Sequence, residues 1–79
     1  MKYSITYCEK DKRYIDKALD VYNEIKSVDK KYEIEMIPGR KGDFEVIYYD
    51  DPPALIFSRL LKGRLPRYQE IKKLLLKMT

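Results

Sequence analysis

Residues 2–37 read KYSITYCEKDKRYIDKALDVYNEIKSVDKKYEIEMI, and the change of hydrophobic period along them decides the fold. Residues 2–7 alternate, with Tyr3, Ile5 and Tyr7 on one face, the period of a half-buried strand. The period then lengthens. Tyr14, Ile15, Ala18, Leu19, Tyr22 and Ile25 recur at helical spacing, and Val21 and Val28 widen the stripe. Asp16, Lys17, Asp20, Asn23, Glu24 and Lys26 fall mostly on the other side. Asp11 suits the N-cap, so the spacing predicts a helix over residues 12–28. Residues 31–37 alternate again, with Tyr32, Ile34 and Met36 set against Glu33 and Glu35. Strand, helix and strand at this spacing form a βαβ unit, with parallel strands and a right-handed crossover.

Downstream, Pro-Gly-Arg-Lys-Gly at 38–42 is a turn-forming loop. Residues 44–49 form a third strand, with Phe44, Val46 and Tyr48 on one face. Asp-Asp-Pro-Pro at 50–53 makes a turn, and residues 54–58 read as a fourth strand pairing back on the third. Residues 59–65 are a basic, Gly-containing loop. Pro66 suits the first turn of a last helix whose stripe is Tyr68, Ile71, Leu74, Leu75 and Met78. The order β-α-β-β-β-α predicts a single α/β domain over 1–79, an α+β sandwich. Both helices pack on one four-stranded mixed sheet, because each has an apolar stripe to bury.

Composition narrows the function classes. Seventy-nine residues carry one Cys and no His, which rules out an internal disulfide and argues against a zinc site. A chain of this length buries about 60–65% of its unfolded surface, so the core is modest. No stretch is apolar and long enough to span a bilayer, and the N-terminus lacks a signal pattern. A cytoplasmic, membrane-free protein is the expectation. The net charge of +4 is uneven: residues 1–51 carry net −2 and residues 52–79 net +6, with Glu70 as the sole acid of the second segment. That bias points to an anionic partner surface.

Cys8 stands where the first strand ends and three residues before Asp11. Backbone N–H groups and the helix dipole at such a junction favour a thiolate, as do Lys10, Lys12 and Arg13; Glu9 and Asp11 oppose it. Four further features complete a pattern: Ile5-Thr6-Tyr7-Cys8, then Pro38-Gly39-Arg40-Lys41-Gly42-Asp43-Phe44-Glu45-Val46, Ile56-Phe57-Ser58-Arg59 and Gly63-Arg64-Leu65-Pro66. In this order they resemble the selenoprotein W-related (Rdx) family across nearly the whole chain. The resemblance implies a small thioredoxin-like fold and redox exchange with glutathione or a partner thiol. In that family a Cys is followed three residues on by a second Cys or selenocysteine. Here Cys8 occupies the first position and Asp11 the second, so an intramolecular dithiol cycle is excluded.

Two readings follow for the site. In the first, Cys8 is the nucleophile of a monothiol cycle that ends in a mixed disulfide, with glutathione as co-substrate and no resident cofactor. Arg40, Lys41, Arg59 and Arg64 would then contact an anion or a partner. In the second, Cys8 is a packed strand-end residue, Asp11 is only a helix cap, and the fold is a redox-inactive protein-binding module. Leu60 and Leu61 interrupt the polar loop after the fourth strand and fit a protein contact, including a homodimer. Nucleic acid is disfavoured, because most of the eight tyrosines fall on faces that periodicity assigns to the core, with Tyr49 the clearest exception.

Overall fold

The computed structural model describes residues 2–78. Strand β1 (Lys2–Cys8) lies inside a four-stranded sheet of order β2-β1-β3-β4. It pairs parallel to β2 (Glu33–Gly39) and antiparallel to β3 (Phe44–Tyr49), which pairs antiparallel to β4 (Ala54–Ser58). Helix α1 (Lys12–Val28) supplies the crossover between the two parallel strands. The mixed sheet of the predicted fold is therefore present, and the bounds of α1, β3 and β4 are those read from the period.

Register puts Tyr3, Ile5, Val46, Tyr48 and Phe57 on one face, with the buried stripes of α1 and the last helix above them. Ile5, Val46, Phe57, Val21, Ile25 and Ile71 are almost wholly buried there. Phe44 meets Phe57 edge-on at 6.4 Å, and Tyr3 packs against both Tyr32 and Tyr48 at 5.1 and 4.9 Å. Tyr3 and Tyr32 are thus core residues, Tyr7 and Tyr48 pack partly buried against the core, and Tyr49 is exposed. Burial raises the Tyr3 hydroxyl to about 12, with lesser contributions from the neighbouring Tyr32 and Tyr48 phenols.

The structure corrects several expectations. Pro38 and Gly39 are not in the turn; they extend β2, opposite Tyr7 and Cys8. An edge strand accepts Pro because its missing N–H is not needed by a neighbour. Residues 59–65 are not a plain loop. Helix α2 (Arg59–Lys62) forms one turn there, with the Ser58 hydroxyl accepting from the Leu61 N–H and Gly63 closing it at φ 74. The sheet therefore carries three helical segments rather than two. The last helix, α3 (Glu70–Met78), starts four residues after Pro66, because Gln69 takes a left-handed φ of 61 and blocks an earlier start. Tyr68 consequently leaves the predicted buried stripe and is 83% exposed, and Met78 is also exposed. On α1, Leu19 is exposed and Glu24 is buried, the reverse of the sequence expectation.

Candidate functional site

Cys8 ends β1 with its backbone held on both sides. Its N–H donates to the Asp43 carbonyl at 3.0 Å, and its carbonyl accepts from the Asp11 N–H at 3.4 Å. Opposite it in register stands Gly39. A Cβ at Gly39 would lie 2.8 Å from Thr6 Cγ2 and 3.0 Å from Asp43 Oδ2, so only glycine allows this approach of strand and turn. The Asp43 carboxylate accepts from the Arg40 N–H at 2.8 Å and closes the β2–β3 turn. These contacts bring the β1–α1 junction against that turn.

Between them lies a surface depression of about 550 Å³ lined by Cys8, Glu9, Lys10, Asp11, Gly39, Arg40 and Lys41. Cys8 carries a free thiol and is only 5% exposed. Arg40, Lys41 and Lys10 are exposed around it. The structure thus brings Cys8, Asp11, Arg40 and Lys41 to one place. Glu9 and Lys10, the sequence neighbours expected to act on the thiol, border the site too, as does Gly39, which the sequence placed in a turn away from it. Asp43, three residues after Arg40, carried the turn signal that would have placed them.

Asp11 is engaged elsewhere. Its carboxylate caps α1 by accepting from the Arg13 N–H at 3.0 Å, and it also takes the Arg13 guanidinium at 3.2 and 2.8 Å. Those side-chain hydrogen bonds are the main reason its carboxyl is held below the ordinary carboxylate value. It therefore stays ionised at neutral pH and is unsuited to donating a proton to a leaving sulfur.

The remaining basic residues divide. Arg59 reaches the far side of the same β2–β3 turn: it donates to the Gly42 carbonyl at 3.5 Å, and its guanidinium lies 6.0 Å from the Tyr14 ring. Lys41 and Arg59 border a second, smaller depression of about 170 Å³, beside Leu60. Arg64 points away. It forms a two-point ion pair with Glu70 at 2.7 and 3.0 Å and lies over Phe57, so its charge is already matched. Leu60 and Leu61 are 86% and 74% exposed on α2, and neither lines the Cys8 depression.

The Rdx family profile matches residues 2–77. The chain belongs to the Rdx family. As an Rdx protein it shares its fold with a solved protein from Bordetella parapertussis, at a TM-score of 0.77 and 19% identity over 99% of this chain and 96% of that one. It also resembles a selenoprotein W-related protein from Vibrio cholerae, at a TM-score of 0.72 and 17% identity over 98% and 94% of the two chains. No curated protein sequence matches it. Family and fold agree with the resemblance read from Cys8 and the Pro38–Val46 segment. No helix among the described residues is long and apolar enough to cross a membrane.

Proposed function

We propose that this Rdx-family chain is a cytoplasmic thiol redox protein working through Cys8 alone, with glutathione as co-substrate. The observation that supports it is the shared depression, which Cys8 lines together with Lys10, Arg40 and Lys41, three cations against the two carboxylates of Glu9 and Asp11. Such cations suit the carboxylates of glutathione. In the first step the Cys8 thiolate attacks the glutathione sulfur of a glutathionylated protein. The S–S bond breaks, the partner leaves as a thiolate, and a Cys8–glutathione disulfide forms. A thiolate of free glutathione then attacks the glutathione sulfur of that adduct. Cys8 is released as a thiolate, and oxidised glutathione departs. Two electrons pass from glutathione to the partner.

Asp11 gives the cycle its character. With a carboxylate in place of a second thiol, the adduct has no internal route of collapse and waits for an external reductant. Because Cys8 exposes so little surface, a sulfur must enter the depression to meet it, which favours a slender glutathione adduct over a bulky disulfide.

The same burial favours a second reading. A packed Cys8 with an occupied Asp11 fits a redox-inactive module that binds protein through the exposed Leu60 and Leu61, a second copy included. Incubation with oxidised glutathione followed by intact-mass measurement separates the two. The redox reading expects a single glutathione adduct on the native fold, lost in Cys8→Ser. An adduct that forms only after unfolding eliminates it.

A further inference from the structure

The cation-rich C-terminal segment meets an unexpected aromatic. Tyr68, immediately before α3, is the most exposed tyrosine among the described residues at 83%, held out by the left-handed backbone of Gln69. Beside it, Arg67, Lys73, Lys77, Glu70 and Leu74 line a depression of about 380 Å³ along the outer side of α3. Arg67, Lys73 and Lys77 are exposed, and their side chains enter no ion pair among the described residues. Glu70, the one acid there, is matched by Arg64 and accepts from the Arg67 N–H at 2.8 Å, so the surface keeps its positive field. Lys73 and Lys77 stand one helical turn apart on one face, about 6 Å along the axis.

We infer that this face binds single-stranded nucleic acid, with phosphates along Arg67, Lys73 and Lys77 and a base stacked on Tyr68. Cations tracking a backbone beside a free aromatic face are the two parts of such a site. The other side of Tyr68 fixes the polarity. There a depression of about 330 Å³ is bordered by Asp20 and Glu24, by the amides of Asn23 and Gln69, and by Ser27 and Lys72. Two carboxylates outnumber the one ammonium there, so a neutral base edge suits that side better than a phosphate. The site lies apart from the Cys8 depression, sharing no lining residue with it, and is independent of the redox reading.

The test is fluorescence anisotropy of a labelled single strand of about twelve nucleotides, with the full chain titrated across a salt series. Three phosphate contacts predict a log–log salt slope of about −2, falling to about −0.7 when Lys73→Glu and Lys77→Glu leave only Arg67. Tyr68→Ala weakens binding about tenfold, the loss of one stacked base, whereas Tyr68→Phe retains affinity. Cys8→Ser binds as the parent does. All these sites but Cys8 are exposed, and circular dichroism confirms that each variant is folded. Absence of saturable binding at low salt overturns the inference. So does a Tyr68→Ala variant as tight as the parent, which would mark mere adsorption of any polyanion.

Discussion

Gly39 shows how one residue shapes the site. The position is an extended strand residue facing Cys8, and what it lacks is room for a side chain. An added methyl would press on Thr6 Cγ2 and on the Asp43 carboxylate that holds the Arg40 N–H. Gly39→Ala should therefore lower stability by about 1–3 kcal/mol, as overpacking does. Thr6→Ser, which removes the offending methyl, should recover part of that loss in the double variant. Urea midpoints of the four proteins check this; an unaltered midpoint in Gly39→Ala would mean that the strand and turn yield freely. The sequence marked Gly39 as part of a turn, but its closeness to Thr6 arises from strands far apart in the chain. Asp11 was more legible, since a cap and its Arg13 partner are neighbours in sequence.

Among the elements, α3 departs most from its reading. Pro at the first helical turn is a sound local rule, and Pro66 invited it. The helix instead begins at Glu70, whose carboxylate accepts from the Arg67 N–H and pairs with Arg64. Those interactions, with the Arg64 hydrogen bonds foremost, pull the Glu70 carboxyl from 4.5 down to about 2. A carboxyl lowered on folding stabilises the fold above its unfolded value and ceases to do so as pH falls through its folded one. Glu70→Gln should accordingly be less stable than the parent at pH 7, with the difference fading between pH 4.5 and about 2. Thermal melts across that window provide the measurement. An equal gap at pH 7 and pH 2 would show that the side chain matters for packing and not for its charge. The same misplacement of the helix start hid Tyr68, because a stripe counted from Pro66 turns it inward.

At the scale of the molecule, a buried Glu24 joins the two long helices. Its carboxylate on α1 accepts from the Lys72 N–H at 3.1 Å, satisfying a donor in the first turn of α3 that the helix itself leaves free. Residues forty-eight apart in sequence are linked in this way. Glu24→Ala should cost about 1–3 kcal/mol by stranding that donor, and Glu24→Gln, which keeps an acceptor, clearly less. Hydrogen exchange at the Lys72 amide reads the contact directly: faster exchange in the Ala variant is expected, and unchanged exchange would show that the bond does little. Read along α1 alone, Glu24 belongs to the solvated face. Only the arrival of α3 against that face buries it.

While the strand order came from the tertiary structure, the amino-acid order by itself determined the four strands of a mixed sheet, the first helix, the family and the absence of a second thiol. These follow from periodicity, from turn residues and from a motif, all of which act between near neighbours. The tertiary structure alone decided that Arg40 and Lys41 stand with Cys8, that Arg64 is spent on Glu70, and that Tyr68 faces outward among cations. Those outcomes depend on how a parallel crossover and a late-starting helix bring distant segments together, and no local pattern encodes that distance.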